Sequence, residues 1–278
     1  FQHAMKVYCM FSRFHPLLKC RSTDFLQLCA FLLLLSGLCW GLQQGAENLG
    51  YNWHWSRVPR YLVTSTADGW QAGPLLQGLW LTLQITAISL VLAFLVGLIT
   101  ALMRLSRSRM SIILAKVYLE AIRNTPLLIQ IFIIYFVFAP ILDLGRLTSA
   151  VLALSLFEGA YASEVIRAGI LAVPAGQSEA SASLGMSRYH NYRLIILPQA
   201  LRKMIPPLTS QGISLIKDSA LVSTIAIYDL TMQGQQIVAE TFLTFEIWFT
   251  VAAIYLIVTL SLALLVKFLE GRLMLHEA

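Results

Sequence analysis

Apolar runs long enough to cross a bilayer, separated by short polar segments, organise most of this chain. A helix needs about twenty mostly apolar residues to cross the hydrocarbon, because every backbone N–H and C=O must be satisfied inside the segment. Six stretches approach that length. The first runs from Phe25 to about Gln43, with Phe31-Leu32-Leu33-Leu34-Leu35 at its centre, and the second from Leu76 to Met103, in an uncharged region between Asp68 and Arg104. The third, about Val117 to Phe138, carries Glu120 and Arg123 in its first turns and Pro126 just beyond, which predicts a bent start at the membrane surface. The fourth, Leu147 to Leu171, contains Glu158, Glu164 and Arg167. The fifth, from Pro198 through Met204 to Ile227, is predicted to be interrupted by Pro206-Pro207 and by Lys217-Asp218, whereas the sixth, Ile247 to Val266, is uncharged throughout. The expected fold class is all-α, a polytopic integral membrane helix bundle of about six spans packed as one domain.

Composition agrees with that pattern. The chain is 58% hydrophobic and 12% charged, against about a quarter charged in soluble domains, and its mean hydropathy is +0.71. A water-soluble core is excluded on this balance. The net charge of +6 would raise the question of nucleic acid in a soluble protein, but these basic residues flank apolar runs, as the positive-inside rule requires. Lys6, Arg13, Lys19 and Arg21 precede the first stretch; Arg104, Arg107, Arg109 and Lys116 follow the second; Arg188 and Arg193 follow the fourth; Lys267 and Arg272 follow the sixth. With six spans all of these share one side, which places both termini and the segment from Val173 to Arg193 in the cytoplasm. The loop from Gln44 to Leu75, with Tyr51, Trp53, Trp55, Tyr61 and Trp70, then lies outside, along with Arg57, Arg60 and Arg146.

Cys9, Cys20, Cys29 and Cys39 form no CxxC pair and have no histidine at metal-ligand spacing, so they are read as apolar filler, with no metal site. The chain opens at Phe1, which makes Met5 and Met10 candidate starts. The first stretch has the basic flank of a signal peptide, but its core is long and no A-x-A site follows it closely, so it is read as a retained span.

The most specific pattern lies between the fourth and fifth stretches: Glu179-Ala180-Ser181, then Gly185, then Ile195-Ile196-Leu197-Pro198. After the break at Pro174 to Gly176, Ser178 is placed to cap a short helix, small residues keep its faces thin, and Gly185 suits the left-handed turn that ends it. Pro198 suits a first helical turn. This pattern resembles the EAA loop of permease subunits of ATP-binding-cassette importers, with Ser181 in place of the second alanine. The resemblance implies a coupling helix that docks on a separate cytoplasmic ATPase through Glu179, Ala180, Ser181, Leu184 and Gly185. No G-x-x-x-x-G-K-[ST] occurs in the chain, so ATP binding is expected on the partner and no cofactor here.

Further matches point to the polar amino acid branch of that family. They are Arg123-Asn124-Thr125-Pro126-Leu127-Leu128, Gly159-Ala160-Tyr161 with Ser163 to Ile170, Val173-Pro174-Ala175-Gly176-Gln177, Ile196-Leu197-Pro198-Gln199-Ala200 and Lys217-Asp218-Ser219-Ala220-Leu221. The run Leu156 to Tyr161 looks most like the glutamate/aspartate permeases. The resemblance implies a permease domain over 76–272 with its coupling loop at 173–198. An added tail, span and periplasmic loop occupy 1–75, and a cytoplasmic tail 273–278. It also implies a bacterial inner-membrane location, ATPase subunits, a periplasmic substrate-binding protein, a second permease subunit that is identical or related, a polar amino acid as cargo, and no covalent chemistry.

Ionisable residues inside spans are expensive unless paired or facing water. Glu164 and Arg167, three apart on one face, read as a structural ion pair. Lys217 and Asp218 cannot share a face and are expected to find partners elsewhere or to line the pathway, and Glu158, with no local partner, is the leading candidate to touch substrate. The rival reading is a secondary transporter driven by an ion gradient, whose discontinuous helices would suit the broken fifth stretch. The lack of an inverted second copy and the presence of the EAA pattern tell against it. A membrane enzyme is disfavoured because the chain has no H-E-x-x-H, no G-x-S-x-G and no histidine in a predicted span.

Overall fold

The computed structural model describes residues 16–48, 50–66 and 69–274. Lys6, Cys9, Arg13, Asp68, the candidate starts Met5 and Met10, and 275–278 of the C-terminal tail lie outside the described residues. Contacts divide the chain into two units, one ending at His54 and the other starting at Trp55.

The first unit is one helix, α1 (Pro16–Asn48). Its segment Gln27–Gly45 is long and apolar enough to span a membrane, and Cys29 and Cys39 are free thiols.

The second unit opens with an unpredicted antiparallel hairpin, β1 (Val63–Thr66) and β2 (Gly69–Ala72). The β-branched Val63, Thr64 and Thr66 favour extended backbone, and Gly69 supplies the positive φ beside the turn. Gly73 follows with its N–H bonded to Leu62 O at 2.7 Å. Then α2 (Pro74–Leu105) begins on a proline whose missing N–H would have been unpaired at a helix start. The remaining helices are α3 (Arg109–Arg123), α4 (Leu127–Leu142), α5 (Arg146–Leu171), α6 (Ala175–Ser183), α7 (Leu197–Asp218), α8 (Leu230–Thr241) and α9 (Thr244–Met274). By length and composition four helices of the described residues can cross a membrane, α1, α2, α5 and α9, and the bent pair α3 and α4 makes a fifth. The expected fifth stretch reaches a count of six only if α7 is included, whose Arg202, Lys203, Lys217 and Asp218 keep it too polar for that test.

The third stretch bends more sharply than its composition suggested, by 106° between α3 and α4. Here the Arg123-Asn124-Thr125-Pro126 motif has a structural reading. Pro126 takes an extended conformation that ends α3's course, and the carbonyls left open are covered by side chains. Thr125 Oγ1 donates to Ala121 O and Gln130 Nε2 to Ile122 O, both at 2.8 Å. Two π turns also precede prolines. Ala139 N–H bonds back to Ile134 O just before Pro140, and Leu197 N–H to Tyr192 O just before Pro198. A wider turn removes the clash between the proline ring and the carbonyl four residues back. Pro206 and Pro207, expected to break the fifth stretch, lie inside a continuous α7. Thr209 Oγ1 donates to Ile205 O and Pro206 O in the turn that follows.

Helix α2 packs on α5 through small residues. Ser89, Ala93, Gly97 and Ala101 recur every fourth position and are buried, facing Ser155, Gly159, Ala162 and Ile166. A Cβ on Gly97 would lie 2.8 Å from Ala162 Cβ and 3.0 Å from Gly159 O. Close backbone approach of this kind replaces the hydrophobic drive that lipid does not supply. Leu154, Ile131, Leu215 and Val222 fill the core where α5, α4, α7 and the following 3₁₀ turn meet. Helix α8, not foreseen from sequence, is capped by buried Asp229, whose Oδ1 accepts from Met232 N at 2.9 Å, and is tied to α2 by Leu230 N donating to Thr82 Oγ1 at 3.1 Å.

Gly97→Leu should therefore lower the unfolding temperature of the purified protein through an overpacking cost of about 1–3 kcal/mol. Gly176→Ala, at a position where an added Cβ meets nothing within 4 Å, should leave it unchanged, and equal losses in the two variants would contradict the close-packing account.

Candidate functional site

Helix α6 realises the EAA pattern, with two corrections. Ser178 does not cap it: the helix begins at Ala175 behind Pro174, with no side-chain cap, and Ser178 sits within its first turns. Its hydroxyl instead accepts from Asn191 Nδ2 at 3.2 Å, tying α6 to the following short helix, Arg188–Asn191. Ser181 does not belong to the exposed face. It is 1% exposed and its Oγ donates to Ser178 O at 2.8 Å, so a serine fits where the family has alanine because its one donor is satisfied within the helix.

The C-terminus is a Schellman motif. Gly185 sits at φ +73°, its N–H bonds Ala182 O at 3.0 Å, and Met186 N–H reaches back to Ser181 O at 3.1 Å. This fixes Leu184 outward, 80% exposed, beside exposed Glu179 and Ala180. Sequence reasoning missed Tyr189 and Tyr192, exposed on the next turns, with Arg193 over the Tyr189 ring at 5.9 Å. Their period gives no signal because the segment containing them is short and ends in the π turn. Pro198 falls in the first turn of α7 as expected, but the chain is already helical from Arg188 onward.

Inside the bundle, Glu158 is 4% exposed, and its Oε1 has no partner among the described residues. It lines a cavity of about 610 Å³ with Thr86, Leu90, Leu208, Gln211 and Ile216. Gln211 Oε1 is likewise buried and unpartnered. Thr86 and Gln211 were missed from sequence; the recurrence of Thr82, Thr86 and Ser89 on one face of the most apolar helix is the signal that could have found them. Lys217 is exposed, Asp218 half-buried, and neither has an ion-pair partner among the described residues. They do not line the cavity with Glu158.

Glu164 and Arg167 do pair, at 3.4 Å, but the pair is part of a larger cluster. Glu164 Oε1 also lies 2.6 Å from Arg104 Nη1 at the end of α2 and 3.1 Å from Arg123 Nη1 at the end of α3. One carboxylate thus ties three helices together. Arg123 also lies over the Tyr161 ring at 5.9 Å.

The described residues thus form a helical membrane bundle with a capped, exposed short helix between two of its long helices. The chain belongs to the family described as binding-protein-dependent transport system inner membrane component, which it matches over residues 93–275. It is 39% identical over 208 residues to the glutamine transport system permease protein GlnP of Escherichia coli (strain K12), a match that covers 73% of this chain and 95% of that protein. It is 43% identical to the L-cystine transport system permease protein TcyB of Bacillus subtilis (strain 168), over 70% of this chain and 85% of that one. A crystal structure of an amino acid ABC transporter with histidines is similar in fold, with a TM-score of 0.68, 38% identity, and coverage of 72% of this chain and 94% of that chain.

With the four native cysteines replaced, Ser183→Cys should react readily with a polar thiol reagent in the purified protein, and Ser181→Cys far more slowly. Comparable rates at the two positions would show that α6 does not present the face described.

Proposed function

We propose that this chain is the membrane-spanning subunit of an ATP-driven importer in a bacterial inner membrane, carrying a polar amino acid handed over by a periplasmic binding protein. It pairs with a second permease subunit, and separate ATPases dock on α6. The observation that carries the coupling role is the Schellman-capped α6, which projects Glu179, Ala180 and Leu184 from a base held by the Ser178–Asn191 bond. A short rigid helix transmits displacement, whereas a flexible loop would absorb it. Gly185 acts by fixing the cap, and Ser181 supports the helix from within.

The cavity beside Glu158 supports a cargo class. Its lining has one charged group, a carboxylate, and no Lys or Arg. An ammonium can take the open Oε1, and Gln211 offers a further polar contact, so the site favours neutral or cationic amino acids. The glutamate/aspartate likeness of Leu156 to Tyr161 is outweighed by that charge, because an anionic side chain beside a buried carboxylate is repelled. Lys217 and Asp218 do not line this cavity, but Asp218 is near enough for its negative charge to act on Glu158, which further disfavours an anionic cargo.

Two sets of variants test the separate halves in proteoliposomes containing the ATPase. Leu184→Asp should insert normally yet reduce uptake roughly tenfold or more, as loss of a central apolar anchor does, and Gly185→Val should do likewise by straining the left-handed cap. Glu158→Gln should raise KM for uptake roughly tenfold, the worth of a charge-assisted contact, with basal ATP hydrolysis intact. Unchanged uptake in the first pair would end the coupling assignment, and unchanged KM in the last, or competition by glutamate as strong as by glutamine, would end the cargo assignment.

A further inference from the structure

Three residues from the matched motifs, Arg123, Glu164 and Arg167, have no part in the cavity or in α6. They meet with Arg104, and the charges do not balance. Three guanidiniums face one carboxylate at 2.6, 3.1 and 3.4 Å. The nearest further acid on these helices, Glu120, is engaged one turn away by Asn124 Nδ2 at 2.8 Å. A guanidinium carries five N–H donors, about fifteen for the three, and one carboxylate can accept only about four hydrogen bonds. The side chains of Arg123 and Arg167 are 44 and 32% exposed, whereas Arg104 is 17% exposed with its Nη1 buried.

The helix that supplies Arg123 is amphipathic in a specific way. Ala115 and Leu119 of α3 are buried, while Met110, Ile113, Leu114 and Val117, spaced as one stripe along the helix, are 54 to 65% exposed. Arg107, Arg109 and Lys116 flank them. An apolar stripe beside basic residues, on a helix turned 106° from the next, matches the pattern of a helix lying in the membrane interface. Arg104 is in the last turn of α2, and Arg123 is the last residue of α3, so the unbalanced charge sits at helix ends, at headgroup depth if α2 spans the bilayer.

We propose that Arg104, Arg123 and Arg167 bind the phosphate of an anionic phospholipid headgroup, whose acyl chains lie along the exposed stripe of α3. Both halves of the ligand are specified. The guanidinium forks match phosphate oxygens bidentately, and basic pockets between membrane helices favour anionic headgroups. Glu164 positions the three arginines and keeps their mutual repulsion tolerable. The bound lipid completes the charge and covers the stripe, and its role is to hold α3 against α2 and α5.

Native mass spectrometry of the full-length protein released from detergent with added phosphatidylglycerol or phosphatidylcholine tests this directly. The wild type should retain phosphatidylglycerol with a preference of roughly tenfold or more. Arg123→Gln combined with Arg167→Gln should abolish that preference, and Arg109→Gln should preserve it. Should the double variant not fold, Arg123→Lys keeps the charge without the fork and should weaken retention measurably. Equal retention of the two lipids, or equal loss in Arg109→Gln, would overturn the proposal. Displacement of the lipid by millimolar inorganic phosphate alone would identify a free-anion site instead. Exclusion of lipid from a two-copy species that still protects the arginines would assign the surface to a second subunit.

Discussion

A helix facing lipid has no water to satisfy its backbone, and the irregular features of this chain are shaped by that constraint. Where proline removes an N–H, the helix widens into a π turn, as before Pro140 and Pro198. Where the chain must turn, side chains take the released carbonyls, as Thr125 and Gln130 do at the bend between α3 and α4. Where a loop adopts a left-handed conformation at Ala226, Arg146 donates to its carbonyl at 3.1 Å. Polar residues that look out of place in an apolar sequence are in these cases closing hydrogen bonds that the backbone cannot close itself.

The same constraint explains what was legible in the sequence. The second, fourth and sixth stretches match α2, α5 and α9 because length and apolarity alone decide such helices. Gly185 was legible because a left-handed cap has a residue signature. The Glu164–Arg167 pair followed from helical spacing, but Arg104 and Arg123 joined it through tertiary packing, which no local period records. Pro206-Pro207 misled because propensity describes an isolated helix, whereas α7 is held by neighbours on several sides. Ser178 misled because the helix starts three residues before it, behind Pro174. Asp229 and α8 were invisible as a helix start because the twelve residues concerned are neither long nor apolar enough to stand out.

Glu158 was legible for a different reason. A carboxylate in the middle of an apolar run is costly, so its presence demands either a partner or a function. The structure supplies no partner among the described residues and surrounds it with a cavity. Gln211 and Thr86 escaped notice because neutral polar residues are common in membrane helices and carry little cost when they can bond to their own backbone, as Thr86 does to Thr82 O at 2.8 Å.

The cavity is walled by α2, α5, α7 and α9, and two of these, α5 and α7, are the helices that enter and leave the segment containing α6. At that end they are fastened to one another. Lys203 Nζ donates to Ala172 O at 2.6 Å, and Gly169 gives Met204 the space to pack against α5. Immediately beyond the fastening come Pro206 and Pro207, which remove two backbone bonds from α7 where Ile205, Leu208 and Thr209 begin to line the cavity. In the coupling role proposed for α6, a displacement would reach this fastened pair of helix ends before the proline-containing part of α7 that lines the cavity. Helix α5 has no such proline pair, its small-residue contact with α2 is close, and Glu164 ties it to α2 and α3.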